Sequence, residues 1–311
     1  MIYDNLSENI RKLKEERRAT ILAHYYQESE IQDVADYLGD SLALAQYAQK
    51  VTSPIILFAG VHFMAETAKI LNPTKKVIIP SLDAGCSLAE SCPEDKFREF
   101  VQAHPDHVVI SYINCTAGVK ALSDIICTSS NAERVIRSVP ESSPIIFAPD
   151  YNLGRFLAKK TGRPMKLWNG TCVVHVTFSL KRIQELKLQH PLAEIIAHPE
   201  CEEMVLAVSD FIGSTTALIH YATTSPKKSF IIVTEVGVIH QMKKINPNKD
   251  YIPAPTTEGC ACNLCPHMKQ NTLEKVYFAL RDLKPEITMD ANLIDRARAP
   301  LLKMLDITHV H

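Results

Sequence analysis

The feature that most constrains the fold of this 311-residue chain is a pattern that occurs three times. Each copy opens with a short β-branched run and a polar residue; an aspartate follows 12 positions later, and a hydroxyl residue 5 positions after that. The three sets are His24, Asp36 and Ser41; Tyr112, Asp124 and Ser129; and His198, Asp210 and Thr215. Repetition at a nearly constant period indicates three related structural units.

Each unit continues with two further short apolar runs, such as residues 54–60 and 77–80 in the first. Short β-branched runs that alternate with helical stretches are typical of parallel sheets covered by helices on both faces. The sequence therefore predicts an α/β fold of three homologous three-layer α/β/α sandwich domains with parallel sheets around a pseudo-threefold axis. We expect the domains to span 1–104 with an N-terminal helix, 105–190, and 191–311 with a C-terminal helical segment that returns to the body.

Composition and charge exclude several function classes. Apolar residues make up 46% and charged residues 22%, as in globular proteins with a buried core. The net charge of −1 favours neither nucleic acid nor an anionic membrane as a partner. No apolar run approaches the roughly 20 residues of a membrane span, and the charged N-terminus does not resemble a secretory signal. The sequence predicts a cytoplasmic protein.

One cysteine follows the third predicted strand of each unit: Cys86, Cys172 and, within the stretch GCACNLCPHMKQN, Cys265. Loops at the carboxyl ends of parallel strands usually carry the chemistry, so we expect the three thiolates to meet. Three thiolates predict a metal site with one open position, which suits either an iron–sulfur cluster or zinc. Cys262 and Cys265 form a C-x-x-C pair, which alone would suggest redox chemistry.

The remaining cysteines with no equivalent across the units are expected to be packing residues. They are Cys92, Cys115, Cys127 and Cys201.

Hydroxyl residues are predicted at the start of one helix in each unit: Ser41, Ser129, Ser214 and Thr215. Serine and threonine commonly cap helix N-termini. The free N–H groups of a helix N-terminus also bind anions, so the two interpretations are compatible.

Polar residues at the predicted strand ends occupy equivalent places in all three units. They are His24 and Tyr26, Tyr112 and Asn114, and His198 and Glu200. A lone histidine there would more often be a core residue, but the equivalence favours function. Histidines and buried carboxyl groups suit proton transfer near neutral pH. His175 and His240 are weaker candidates, and Met64 is expected in the pocket wall.

The sequence resembles the quinolinate synthase family of de novo NAD biosynthesis. The similarity extends from about residue 20 to residue 276. It includes AHYYQ, GDSLALA, GVHFMAE, YIN, CTSSNA, NGTCVVH, HPEC, GSTTAL, TEVGVIH and CPHMKQNTLE. The resemblance implies a [4Fe-4S] cluster on Cys86, Cys172 and Cys265 with one open iron. It also implies condensation of iminoaspartate with dihydroxyacetone phosphate into quinolinate, with loss of phosphate and water.

The resemblance further implies a base role for Glu200 and handling of the triose by Tyr26 and His24; His198 is predicted as a further catalytic residue. It also implies transient contact with the aspartate-oxidising enzyme that supplies iminoaspartate. The predicted substrate-binding residues are His24, Ser41, Tyr112, Asn114, Ser129, His198, Glu200, Ser214 and Thr215. Two alternatives use the same cysteines: a zinc-dependent lyase or hydrolase, and a metal- or redox-sensing protein.

Overall fold

The computed structural model describes residues 5–257 and 263–309 and contains three four-stranded parallel sheets. The first has the order β2-β1-β3-β4, with β1 (Ala19–His24), β2 (Tyr37–Gly39), β3 (Ile55–Ala59) and β4 (Lys76–Ile78). The second repeats this order with β5 (Val108–Tyr112), β6 (Ile125–Cys127), β7 (Ile145–Ala148) and β8 (Met165–Leu167). So does the third, with β9 (Glu194–Ala197), β10 (Phe211–Ile212), β11 (Ser229–Val233) and β12 (Asp250–Pro253).

The helices repeat as well: in each unit one precedes the first strand and one follows each of the first three strands. The first unit has α1 (Leu6–Arg17), α2 (Ser29–Val34), α3 (Ser41–Lys50) and α4 (His62–Leu71), and α5 (Ser87–Ser91) follows β4. The second has α6 (Glu94–Gln102), α7 (Ala117–Lys120), α8 (Ala132–Ser138) and α9 (Tyr151–Thr161). The third has α10 (Leu180–Gln189), α11 (Glu203–Leu206), α12 (Thr215–Thr224) and α13 (Val238–Ile245).

Both faces of the central strands are buried. In the first sheet Leu22 and Ile56 join one apolar cluster, whereas Ile21 and Leu57 join another. Because successive strand residues point to opposite faces, an unbroken apolar run packs helices on both sides. The predicted fold class of α/β/α sandwiches with parallel sheets is therefore confirmed.

The repeated aspartate of each unit makes the same two contacts with its first strand. The pairs are Asp36 with Ile21, Asp124 with Val109, and Asp210 with Ile195. In each pair the strand N–H donates to the carboxylate at 2.8 Å, and the aspartate N–H donates to the strand carbonyl at 2.8–2.9 Å. These contacts align the second strand, which begins at the next residue. The sequence analysis missed that strand because it has only two or three residues.

The last two helices pack away from the third unit. Val276 and Leu280 of α14 (Leu273–Asp282) share a core with Ile10 of α1. Helix α15 (Ala291–His309) packs on α7, α8 and β6 of the second unit and on α4 of the first. The domain boundaries remain a prediction. Among the described helices, none is both long and apolar enough to cross a membrane.

Candidate active site

Loops from the carboxyl ends of strands in all three sheets line one cavity, the usual ligand position in parallel α/β folds. Every predicted site residue lines it except Ser214, which directly precedes Thr215. The lining residues from the prediction are His24, Tyr26, Ser41, Cys86, Tyr112, Asn114, Ser129, Cys172, His198, Glu200, Thr215 and Cys265. Met64 and His175 also line the cavity. The structure thus brings residues together that lie up to about 240 positions apart in the chain.

The three predicted metal ligands are half-buried free thiols at this cavity. Burial raises the pKa of Cys86 to about 12 and that of Cys265 to about 11, and it raises the pKa of Cys172 well above its usual value. Negative charge on neighbouring thiolates adds to these shifts. A cationic metal group would favour the thiolate form instead, so the donor set suits a metal centre. Cys260 and Cys262 lie outside the described residues.

Helix α5 connects the loops of Cys86 and Cys172. It begins at Ser87, whose Oγ accepts a hydrogen bond from the Val173 N–H at 3.2 Å. At its other end the Ser91 carbonyl accepts a hydrogen bond from Trp168 Nε1 at 3.0 Å. The first and second units are therefore joined beside both cysteines.

A buried carboxyl group holds the loop of the third cysteine. Glu235 is fully buried, and its Oε1 accepts hydrogen bonds from the Cys265 N–H and lies 3.3 Å from Lys269 Nζ. Its Oε2 accepts from the Gly237 N–H at 2.6 Å. Burial raises the pKa of Glu235 to about 7, although Lys269 opposes the shift. Glu235 was not predicted from the sequence as a site residue. Its position two residues after β11, within TEVGVIH, was the signal that could have identified it.

Glu200 lies at the centre of a buried hydrogen-bond network. Tyr112 Oη donates to its Oε1 at 2.5 Å, and His175 Nδ1 lies 2.8 Å from its Oε2. Burial favours the neutral acid, but the contacts of its two oxygens with His175 and Tyr112 outweigh burial and hold the pKa of Glu200 below its usual range. Glu200 is therefore a carboxylate at neutral pH.

Sequence reasoning ranked His175 and His240 equally, but the structure separates them. His175 is buried in the cavity wall against Glu200. His240 lies outside the cavity lining, with its Nε2 2.9 Å from Asp33.

The tautomers of His24 and His198 follow from equivalent backbone contacts. The Nδ1 of His24 accepts a hydrogen bond from the Tyr26 N–H at 3.2 Å, and that of His198 accepts from the Glu200 N–H at 3.4 Å. Burial lowers the pKa of His24 to about 4 and that of His198 to about 3, so both rings are neutral at pH 7. The proton of each ring therefore resides on Nε2, which is available as a donor. In His198 the Nε2 lies 3.2 Å from Ser129 Oγ.

Two of the predicted helix starts agree with the structure. Helix α3 begins at Ser41 and is capped by Asp40, whose side chain accepts from the Ala43 N–H at 3.0 Å. Helix α12 begins at Thr215 and is capped by Ser214.

The predicted helix start at Ser129 is wrong. Helix α8 begins three residues later, at Ala132. The side chain of Asn131 accepts a hydrogen bond from the Thr128 N–H at 2.7 Å and closes a turn around Ser129 before the helix starts. Ser129 therefore offers its hydroxyl to the cavity from a turn.

A mixed donor set also lies in the cavity wall. One ligand atom each of Cys172, His175 and Glu200 lies within 4.8 Å of the others. Sulfur, imidazole nitrogen and carboxylate oxygen together are typical zinc ligands. However, the His175 and Glu200 side chains already contact each other at 2.8 Å.

Comparison with known proteins decides the family. The model of the family described as quinolinate synthetase A protein matches residues 8–306, which include all three units and the whole cavity. The chain belongs to the quinolinate synthetase A family. Its relatives in this family include the quinolinate synthases of Trichormus variabilis and Trichodesmium erythraeum. The first is 58% identical over 96% of this chain and 93% of its own. The second is 57% identical over 99% of this chain and 95% of its own. The quinolinate synthase of a Synechocystis species is 60% identical over 95% of this chain and 93% of its own.

Proposed function

We propose that the chain is a quinolinate synthase that condenses iminoaspartate with dihydroxyacetone phosphate and releases phosphate and water. The observation that carries the proposal is the single cavity in which one cysteine from each unit meets a buried carboxylate, histidines and hydroxyl groups. The family assignment and relatives named quinolinate synthase at 57–60% identity support it.

Cys86, Cys172 and Cys265 would hold a [4Fe-4S] cluster. Three ligands leave one iron without a protein donor, and such an iron supplies Lewis-acid chemistry when the cluster is bound. The fit rests on the donor set, because three half-buried thiols line one cavity and thiolates are the usual ligands of such clusters.

Neutral donors would bind the substrates. Iminoaspartate carries two carboxylates and the triose carries a phosphate, yet among the described residues no arginine or lysine lines the cavity. The hydroxyls of Ser41, Ser129 and Thr215 and the Nε2–H groups of His24 and His198 take this role. Each hydrogen bond to a charged group contributes about 1.5–3 kcal/mol.

Glu200 would act as the general base. It is a buried carboxylate at the cavity, and its position between His175 and Tyr112 fixes both oxygens. The condensation requires proton removal from carbon and from nitrogen, which a positioned carboxylate accelerates by roughly 10²- to 10⁴-fold. Tyr26 and His24, from the first unit, would orient the triose.

The test is an anaerobic assay of quinolinate formation from the two substrates by the purified, iron-loaded chain. Replacing Cys86, Cys172 or Cys265 by alanine should abolish both iron binding and activity, whereas Cys92→Ala, in the core of the second unit, should keep both. Absence of quinolinate from the iron-loaded chain with all three thiols intact would contradict the proposal, as would full iron content in any of the three ligand variants.

The mixed donor set of Cys172, His175 and Glu200 favours a zinc-dependent lyase or hydrolase as the second candidate. Colour separates the two, since an iron–sulfur protein is brown and a zinc protein is colourless. The redox-sensing alternative depends on Cys260 and Cys262, which lie outside the described residues. We further propose a cytoplasmic location, within NAD synthesis, with iminoaspartate passed on by an aspartate-oxidising enzyme.

A further inference from the structure

Five polar side chains form an unbroken chain of hydrogen bonds through the cavity wall. Tyr26 Oη lies 3.0 Å from Thr234 Oγ1, which lies 3.0 Å from His175 Nε2. His175 Nδ1 lies 2.8 Å from Glu200 Oε2, and Tyr112 Oη donates to Glu200 Oε1 at 2.5 Å. Thr234 is the member that neither the sequence analysis nor the cavity lining includes.

A carboxylate only accepts, so Tyr112 Oη and His175 Nδ1 both donate to Glu200. The other ring nitrogen, Nε2, contacts the Thr234 hydroxyl, which also contacts Tyr26 Oη. The Tyr26 oxygen lies 3.0 Å from a second threonine hydroxyl, at Thr215 Oγ1.

We propose that Thr234 is a positioning residue that fixes the hydroxyl of Tyr26 and the imidazole ring of His175 for the reaction. Thr234 is fully buried and lies behind the cavity wall, so it acts through these two side chains and not on the substrate. It follows β11 of the third unit, whereas Tyr26 follows β1 of the first and His175 follows β8 of the second. One hydroxyl of the third unit therefore aligns acid–base groups of the first and second units. This inference rests on the proposed function.

The test compares Thr234→Val, which removes the hydroxyl at nearly constant volume, with Thr234→Ser, which keeps it. Thr223→Val is the matched control, because Thr223 is a buried threonine of the same unit whose hydroxyl bonds only to helix carbonyls. In iron-loaded protein we expect Thr234→Val to lower kcat about 10- to 100-fold, since His175 Nε2 and Tyr26 Oη each lose one hydrogen bond. KM should change less than about 3-fold, because no substrate contact is removed. Thr234→Ser should retain kcat within about 3-fold, and Thr223→Val should match the wild type.

Equal kcat values for Thr234→Val and Thr223→Val, with an active wild type, would overturn the inference. A wild-type chain that forms no quinolinate would instead overturn the proposed function. The inference then still has a readout, the ¹⁵N spectrum of the histidine-labelled wild-type chain without metal. A hydrogen-bonded Nε2 of His175 would support the inference. A free Nε2 would refute it without any variant that has to fold.

Discussion

Glu235 gives the sharpest prediction about the loop of the third cysteine. Its carboxylate binds the backbone N–H groups of Cys265 and Gly237 with different oxygens, at 3.3 and 2.6 Å. In Glu235→Gln one of these oxygens becomes an NH2 group, which cannot accept. Whichever way the amide turns, one backbone donor in a fully buried site loses its partner.

The loss can be estimated from these contacts. One hydrogen bond to a charged group contributes about 1.5–3 kcal/mol, roughly 10- to 100-fold in an equilibrium. Groups that support metal ligands change metal affinity by a similar factor, roughly 10- to 100-fold. We therefore expect iron to leave Glu235→Gln about 10 to 100 times faster than it leaves the wild type.

The assay follows the decay of iron–sulfur absorbance after chelator is added to reconstituted protein. It is run anaerobically at pH 8, above the pKa of Glu235 of about 7. Glu28→Gln is the control, because Glu28 also contacts Lys269, at 3.4 Å, but is exposed. If both variants lose iron at the same rate, Glu235 supports the lysine and not the cysteine loop, and the reasoning is wrong.

Three further predictions concern binding, pH and stability. Ser129→Ala should raise KM about 10- to 100-fold, whereas Ser138→Ala, in the same unit, should not; steady-state kinetics measures both. His24 binds its proton near pH 6.5 when unfolded but near pH 4 when folded, so it should lower the free energy of unfolding of the metal-free chain by about 2 kcal/mol from pH 7 to pH 5. Urea unfolding at both pH values should show this contribution as a difference of about 2 kcal/mol between the wild type and His24→Gln. Asp124→Ala should lower the free energy of unfolding by about 1–2 kcal/mol, because the Val109 N–H loses its acceptor, and Asp124→Asn should lower it less.

The repeat predicted the fold class because the order of strands and helices within each unit follows from the local pattern of apolar and polar residues. Spacing from His24 to Asp36 is a property of one βαβ segment, so the same spacing in other units identified equivalent strands. Short strands such as Phe211–Ile212 were not predicted, because two residues show no hydrophobic periodicity. They form a strand only by pairing with an adjacent strand.

Site residues at strand ends could be predicted from the sequence. Residues whose role is to hold another site residue in place could not. Glu235 and Thr234 were missed because their roles depend on Cys265, Tyr26 and His175, which are distant in sequence. The helix start after Ser129 was misplaced because the Asn131 side chain competes with the first helical turn. Contacts of this kind exist only in the folded chain.

The identical aspartate contacts make the three units structural equivalents within one chain. A symmetric trimer of one such unit would present three copies of every side chain to its centre. Such a site could not distinguish one end of a ligand from the other. Three units in one chain are free of that restriction. The three cysteines could stay alike, while the residues two positions after each repeated polar group diverged to Tyr26, Asn114 and Glu200. A single covalent chain can therefore present three different side chains to one cavity, which a symmetric assembly of identical units could not do.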